Sequence, residues 1–220
     1  MIPQYYKYQH ISFDCWLTLI RSHPSYKPKR DELFKEFFGI SHSPQEISDV
    51  VRHFDLYCNN QNELTGENIE TNEIYMMILK HLGFTSVEHK KLNDFYHETE
   101  LLLFKYMPLI MWPNIKSFLH KLKAENIGMN ILSNTGFIKG RTLRKLMRHY
   151  EIEQYFDFQI YSDECGYSKP SENIFKAVYQ NAKLQQPCLS SSKILHVGDN
   201  RVADYDGAKK YGFNAFLIQN

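Results

Sequence analysis

The sequence has few cysteines, almost no net charge and no long apolar segment, and each absence narrows the possible functions. Its 220 residues include four scattered cysteines without a Cys-x-x-Cys pair, so neither a zinc knuckle nor a disulfide framework is expected. A net charge of +1 offers no bulk attraction to nucleic acid or to an anionic membrane. No 18-residue apolar run occurs, and the N-terminal stretch lacks the apolar core of a signal peptide. We expect a cytoplasmic protein without nucleic-acid or membrane partners.

Motifs of several common enzyme classes are also absent. The ten histidines show no His-x-x-x-His or His-Glu-x-x-His spacing, so a zinc site is not expected. Neither a Gly-x-Ser-x-Gly elbow nor a P-loop occurs. One predicted helix carries the basic residues Lys139, Arg141, Arg144, Lys145 and Arg148. Because no stacking aromatic residues lie between these charges, we interpret the run as a solvated helix face rather than a nucleic-acid site.

The sequence does contain a regular alternation of short apolar runs and helical patterns. Hydrophobic residues make up 43% of the chain, enough for a sizeable core. The apolar runs predict buried strands over Tyr8–Phe13, Gly128–Leu132, Phe158–Ser162, Lys193–Val197 and Ala215–Ile218. Helical spacing predicts helices over Asn114–Asn126, Ile138–Tyr150, Ser171–Lys183 and Arg201–Tyr211. Strands that alternate with helices predict an α/β fold with a doubly wound, Rossmann-like parallel sheet.

The stretch after the first predicted strand differs, because it shows no strand pattern. Helical spacing predicts four helices there, over Lys29–Phe38, Pro44–Asn59, Glu70–Leu82 and Ser86–Tyr106. Breaks rich in Gly, Asn and Ser separate these helices, and prolines lie at both ends of the stretch. We therefore predict two domains, an α/β core of residues 1–21 and 107–220 and a small helical cap of residues 22–106.

Side chains capable of chemistry follow four of the five predicted strands. In chain order they are Asp14, the pair Ser133 and Asn134, Lys169 in "GYSKP", and Asp199 and Asp204 in "GDNRVAD". Taken singly, each has an ordinary structural explanation, such as a turn cap or a solvated loop residue. The carboxyl ends of parallel strands, however, meet at one edge of a sheet, where such folds bind ligands. The sequence therefore predicts that these side chains form one cluster.

The composition of this cluster indicates phosphoryl transfer. Three carboxylates at one sheet edge repel one another and need cations beside them to stay ionised. Mg²⁺ prefers carboxylate and carbonyl oxygens, and Lys169 supplies a further positive charge. The hydroxyl of Ser133, the amide of Asn134 and the ammonium of Lys169 together suit a tetrahedral oxyanion. An aspartate nucleophile beside a metal and an anion site is the arrangement for a reaction through an aspartyl-phosphate.

In this order the motifs resemble those of the haloacid dehalogenase (HAD) superfamily over nearly the whole chain. The segments that carry the resemblance are "FDCWLTL", "LSN", "SKP" and "HVGDNRVADYDGAKKYGF". The insert after the first motif is similar to the all-helical cap of one subclass. The resemblance implies a hydrolase that uses Mg²⁺ and acts on a small phosphorylated molecule. It implies these metal ligands: Asp14, the backbone carbonyl of Trp16, Asp199 and Asp204.

The same resemblance implies roles for the other motif residues. Asp14 would be the nucleophile, Ser133 and Lys169 would hold the phosphoryl oxygens, and Thr18 would orient the loop. The sequence departs from the family pattern at Trp16, where most phosphatases of the superfamily have a second Asp as general acid and base, and at Leu17, where a Gly is usual. An indole N–H cannot give up its proton at neutral pH.

Three interpretations therefore stay open. The first is a phosphatase limited to good leaving groups, or one that takes its acid from the cap or the substrate. The second is a dehalogenase-like enzyme, because halide leaves without protonation and family dehalogenases have an aromatic residue at this position. The retained acidic pair Asp199 and Asp204 argues against it, since those enzymes lack this pair and do not use Mg²⁺. The third is a non-catalytic protein that binds a phosphorylated ligand or a protein partner.

Overall fold

A parallel sheet of five strands forms the centre of the fold. The computed structural model describes residue 2 and residues 4–218. Its strands are β1 (His10–Phe13), β2 (Ile20–Arg21), β3 (Leu109–Ile110), β4 (Gly128–Ser133), β5 (Phe158–Tyr161), β6 (Ile194–Gly198) and β7 (Asn214–Leu217). The sheet has the order β5-β4-β1-β6-β7, and all its strands run parallel. The five predicted strands and the α/β fold class are confirmed.

Helices lie between these strands in the chain, and those after β3 pack against the sheet. They are α1 (Tyr26–Phe38), α2 (Pro44–Thr65), α3 (Thr71–His81), α4 (His89–Lys105), α5 (Ile115–Ala124), α6 (Gly140–His149), α7 (Ser162–Cys165), α8 (Glu172–Gln185) and α9 (Gly207–Tyr211). A π-helical turn, Arg201–Asp206, precedes α9 where the sequence predicted one continuous helix. No helix in the described part of the chain is long and apolar enough to cross a membrane.

Strand β1 occupies the middle of the sheet, and this position determines where its following loop lies. All its residues are buried, and it pairs with β4 on one side and β6 on the other. After β1 the chain adds β4 and β5 on one side of it and then β6 and β7 on the other side. The loop after β1 therefore lies where the strand order reverses. Open α/β sheets bind ligands in this crevice. Asp14 begins that loop, and its backbone N–H donates to the carbonyl of Val197 at 2.8 Å.

Helices α1 to α4 lie between β2 and β3, which pair as a short antiparallel ribbon. The helices surround their own group of buried aromatic side chains, in which the ring centroids of Phe34 and Phe38 lie 5.0 Å from that of Phe95. Hydrogen bonds also join them to the loops beside the sheet, for example from Thr71 Oγ1 to the carbonyl of Gly136 at 2.6 Å. The division of the chain at residues 22–106 into a separate cap domain stays a prediction.

The structure corrects the predicted end of the second helix in this insert. Helix α2 was predicted to end at Asn59, but it continues to Thr65. A capping box between Ser43 and Glu46 begins the helix, and Gly66 in the left-handed conformation ends it. The polar residues 59–65 had indicated a loop, yet they form helix, in which Asn62 is buried and Glu63 accepts a hydrogen bond from Asn200 near the sheet. The ribbon of β2 and β3 was also missed, since two-residue strands show no periodicity.

Candidate active site

A buried ion network lies at the carboxyl end of the central strands. The ammonium of Lys169 donates to Asp14 Oδ1 and to Asp204 Oδ1, each at 2.6 Å, and to the carbonyl of Leu132 at 3.0 Å. The three charged side chains are nearly inaccessible to solvent, with exposed fractions of 2% for Lys169, 6% for Asp14 and 2% for Asp204. The structure therefore brings together three of the predicted site residues, which come from loops after different strands.

Asp204 is held on several sides. Its Oδ1 also lies 3.0 Å from Nε2 of His196, whose Nδ1 lies 3.1 Å from the hydroxyl of Ser12 on β1. Its Oδ2 accepts the backbone N–H of Asn200 at 2.9 Å. A Cβ atom on Gly198 would lie only 2.2 Å from the Asp204 carboxyl group, which explains why glycine occupies that position. His196, which was not among the predicted site residues, thus holds the Asp204 carboxylate in place.

The pKa values of the Asp14 and Asp204 carboxyl groups shift in opposite directions. Burial raises the pKa of Asp14 to about 6, although the neighbouring Lys169 acts in the opposite direction. Burial also opposes ionisation of Asp204, but Lys169 and His196 outweigh it and hold the pKa of that carboxyl well below its usual range. The two carboxylates in turn raise the pKa of Lys169 against the effect of burial. The ammonium is therefore charged at neutral pH.

The carboxylates also fit a divalent cation. Oxygens of Asp14, Asp199 and Asp204 all lie within 4.8 Å of one another. Burial raises the pKa of Asp199, and the charge of Asp204 raises it further, so a cation at this point would relieve repulsion. A set of hard oxygen ligands on one side of an open cavity is what Mg²⁺ takes, because it retains several waters. Trp16 lines the same cavity.

This cavity has a volume of about 430 Å³ and lies between the sheet and helix α2. Helix α2 contributes four lining residues, namely Leu56, Asn59, Asn60 and Glu63. Glu63 Oε1 accepts a hydrogen bond at 2.6 Å from the amide of Asn200, next to Asp199. None of these four residues was predicted in the site, and Asn60 and Glu63 lie beyond Asn59, where the helix was predicted to end. The signal that could have found them is the helical spacing of Leu56, Asn60 and Glu63.

The remaining predicted site residues lie beside this network in different ways. The amide of Asn134 lines the cavity, but it donates to the carbonyl of Lys169 at 2.9 Å and accepts from its N–H at 2.7 Å. It therefore holds the lysine loop. The hydroxyl of Ser133 is buried and donates to the carbonyl of Asn134 at 3.2 Å. Thr18 is buried, and its hydroxyl has no hydrogen-bond partner among the described residues.

Leu17, in the loop after Asp14, has a backbone conformation that favours glycine. Leu17 has φ of 56°, in the left-handed region that glycine adopts most easily. Its backbone N–H donates to the carbonyl of Ile20 at 2.7 Å, and that of Leu19 donates to Cys15 at 2.8 Å. The loop thus keeps a tight turn without glycine. A bulky residue in this conformation costs about 1–2 kcal/mol.

Comparison with known proteins agrees with this geometry. Residues 52–218 match the family described as haloacid dehalogenase-like hydrolase. The chain is 32% identical over 93 residues to haloacid dehalogenase-like hydrolase domain-containing protein 3 of Xenopus laevis, a stretch that covers 42% of this chain and 35% of that protein. It is 31% identical over 116 residues to glyceraldehyde 3-phosphate phosphatase of Methanothermobacter thermautotrophicus, covering 53% of this chain and 48% of the relative.

A solved structure shows the same fold at low sequence identity. The HAD-hydrolase YfnB of Bacillus subtilis, bound to magnesium, superposes with a TM-score of 0.67 at 17% identity, covering 96% of this chain and 86% of that one. The matched stretches span only about a third to a half of the length of the curated relatives. The family match and the buried cluster at the sheet edge lead to one conclusion: the chain belongs to the haloacid dehalogenase-like hydrolases.

Proposed function

We propose that this protein is a Mg²⁺-dependent phosphatase that acts through an aspartyl-phosphate on Asp14. The observation that carries the proposal is the position of Lys169, whose ammonium contacts both Asp14 and Asp204 at 2.6 Å. It restrains one oxygen of the nucleophile and brings positive charge to the place where a phosphoryl group would lie. Its relative from Methanothermobacter thermautotrophicus carries the name of a phosphatase, which agrees with this class of reaction.

The proposed reaction has two displacement steps. A carboxylate oxygen of Asp14 attacks phosphorus, a bond forms between them, and the bond from phosphorus to the leaving oxygen breaks. Water then attacks the phosphorus of the acyl-phosphate and the bond from phosphorus to the Asp14 oxygen breaks, so that Asp14 leaves as a carboxylate and the protons of the water leave with inorganic phosphate. The charge of Lys169 would stabilise the negative charge that develops on the phosphoryl oxygens, and the Ser133 hydroxyl would turn from the Asn134 carbonyl to donate to them. Asn134 would keep Lys169 in place through its two hydrogen bonds to the lysine backbone.

A bound Mg²⁺ would neutralise charge on the phosphoryl oxygens and would be held by Asp14, Asp199, Asp204 and the backbone carbonyl of Trp16. The donor set of clustered carboxylates supports this choice. The neighbouring Lys169 carries one positive charge against three carboxylates, so the cluster has room for a further cation. Helices of the insert, chiefly α2, would exclude water and select a small phosphorylated molecule.

Trp16 limits which phosphates this site can cleave. Without a carboxylate at this position, the leaving oxygen receives no proton from the first motif, and general acid–base help is worth about 10²–10⁴ in rate. The site should therefore hydrolyse aryl and acyl phosphates, whose leaving groups need no proton, far faster than alkyl phosphates. The phospho-enzyme on Asp14 should also persist longer than usual, because water attack lacks a general base.

The test is Mg²⁺-dependent phosphate release from p-nitrophenyl phosphate and acetyl phosphate. We expect activity in the wild type, no activity with EDTA, and none in Asp14→Asn. Rapid quench during turnover should trap phosphate on Asp14. Inactivity of the folded wild type on both compounds would contradict the proposal, and chloride release from 2-haloacids would then support a dehalogenase-like reaction instead.

A further inference from the structure

A second cavity of about 310 Å³ adjoins the candidate active site. The two cavities share the lining residues Trp16, Leu17, Asn59 and Asn134. The second cavity extends away from Asp14 towards helix α1, between that helix and the loop after β4. A group attached to a phosphate at Asp14 can therefore reach it, and its chemistry bears on which substrate the protein accepts.

Positive charge exceeds negative charge around this second cavity. Lys27, Arg30 and Arg52 line it, against one carboxylate, that of Asp55, which pairs with Arg52 at 3.1 Å. Arg30 is itself buried, and its Nε and Nη2 donate to Asp31 Oδ1 at 2.9 and 2.8 Å. Even with Asp31 counted, three cations face two carboxylates. A guanidinium has five N–H donors, so this pair leaves three of them for another acceptor.

The arginine is also held rigidly. Its guanidinium carbon lies 4.7 Å above the ring centroid of Phe137, which lines the same cavity. Stacking on the ring and the pair with Asp31 together fix the plane of the guanidinium. A fixed, mostly desolvated guanidinium loses little entropy when it binds a carboxylate or phosphate, and it can offer two parallel hydrogen bonds.

Tyr26 provides an independent observation at the same cavity. Its side chain lines the cavity and is only 3% exposed, yet its hydroxyl has no hydrogen-bond partner among the described residues. A buried hydroxyl without a partner costs about 1–3 kcal/mol. Burial raises the pKa of Tyr26, so the hydroxyl remains a neutral donor. An acceptor on a bound ligand would satisfy it.

The start of helix α1 adds to this potential. The helix begins at Tyr26 and has 13 residues, with no acidic residue in its first turn and no side-chain hydrogen bond from Ser25 at its N-cap. In this first turn the N–H of Tyr26 already donates to the carbonyl of His23 at 2.9 Å and Pro28 has no N–H, but the aligned peptide dipoles still place partial positive charge at this end of the helix, which favours an anion nearby. The helix terminus, the Arg30 guanidinium and the Tyr26 hydroxyl thus all favour an anion in this cavity.

We propose that this second cavity binds a second anionic group of the substrate, a carboxylate or a phosphate that is not the one transferred. Arg30 and Tyr26 make the direct contacts, and Lys27 and Arg52 attract the group at the rim. This inference rests on the proposed function, because it assumes that the bound molecule is the substrate of the phosphatase. It identifies the substrate class as small phosphorylated molecules with an anion at their other end.

Binding of phosphonates tests this without turnover. Calorimetry with Mg²⁺ would compare ω-phosphonocarboxylates, from phosphonoacetate to 6-phosphonohexanoate, with alkylphosphonates of equal length. Bisphosphonates of the same lengths decide between a carboxylate and a phosphate as the second group. At the length that spans the two cavities we expect at least tenfold tighter binding than for the matched alkylphosphonate, the effect of one hydrogen bond to a charged group. Equal affinity at every length would overturn the inference.

Matched variants assign the effect to the cavity. Tyr26→Phe should remove most of the tenfold preference, whereas Tyr75→Phe should not change it, since Tyr75 is also a buried tyrosine of the insert but does not line the cavity. The double variant Arg30→Gln/Asp31→Asn removes both charges of the buried pair, so no unpaired charge is left to unfold the protein. It should abolish the preference. A preference that survives in both cavity variants would contradict the assignment.

The outcomes separate this inference from the proposed function. Hydrolysis of acetyl phosphate, with no discrimination between the phosphonate series, would support the phosphatase and refute the second anion site. Selective binding of phosphonocarboxylates or bisphosphonates without hydrolysis of any phosphate would support the second anion site and refute the phosphatase. The cavity variants should leave acetyl phosphate hydrolysis unchanged, because acetyl phosphate has no second anion.

Discussion

Lys169→Met is the substitution that tests the buried network most directly. The lysine donates to two buried carboxylates at 2.6 Å, and methionine fills a similar volume without charge. Removal of one partner from a buried pair costs about 3–5 kcal/mol, because the remaining charges stay desolvated. Since domains have about 5–15 kcal/mol of stability, the variant should still fold. We expect a loss within this range at pH 8 in metal-free buffer.

The loss should depend on pH in a defined direction. In the wild type the pKa of Asp204 lies well below its ordinary value of 3.8, so its contribution to stability is present above that value and disappears as pH falls. In the variant, Asp14 and Asp204 lose their cation and their pKa values rise. The folded variant then binds protons that the unfolded chain releases, so its stability falls as pH rises. The difference from wild type should be smaller at pH 5 than at pH 8.

Urea unfolding at both pH values, with EDTA or with excess Mg²⁺, measures this. A cation should recover part of the loss at pH 8, since it can replace the missing positive charge among the carboxylates. Lys116→Met is the control, because Lys116 makes an ion pair of the same length, 2.6 Å to Glu151, on the open surface, and we expect no measurable loss. A loss for Lys169→Met that is independent of pH and of Mg²⁺ would refute the electrostatic reasoning.

Substitutions at three further positions test other parts of the structure. Trp16→Asp should raise kcat on alkyl phosphates by about 10²–10⁴, and an unchanged rate would argue against a missing general acid. Leu17→Gly should be about 1 kcal/mol more stable to urea than Leu17→Ala, because only glycine relieves φ of 56°; the reverse order would contradict this. Burial lowers the pKa of His10 below 6.5, so its contribution to stability should fall as pH drops from 7 to 5, and the stability of His10→Gln relative to wild type should rise over that range. Equal slopes of stability against pH in wild type and His10→Gln would exclude His10 as a cause of the pH dependence.

Much of the α/β core was predictable because its elements are encoded locally. Strand β4 was predicted as Gly128–Leu132 and ends one residue later, at Ser133. Helix α8 was predicted to begin at Ser171, and that residue is its N-cap, whose hydroxyl accepts the N–H of Asn173. Burial of consecutive apolar residues and capping by a neighbouring hydroxyl both act within a few residues, so a linear pattern records them.

The candidate site was predictable as a set of residues but not as a geometry. The order of strands places Asp14, Lys169 and Asp204 at one edge of the sheet, as expected. The structure also shows that Lys169 bridges both carboxylates and that Asn134 makes hydrogen bonds to the lysine backbone. These contacts join residues far apart in the chain, so no local pattern predicts them. His196 was not predicted in the site, because a histidine within a strand carries no signal of what it faces.

The sequence by itself determined the alternation of strands and helices, the positions of the motif residues and the family to which they point, because those depend on local patterns and on chemistry at fixed spacings. Only the tertiary structure decided that α2 extends far enough to bring Glu63 to Asn200, and that Tyr26 and Arg30 face a cavity beside Asp14. Those features follow from packing between segments that are distant in sequence, where burial and charge are shared by neighbours that no local pattern specifies.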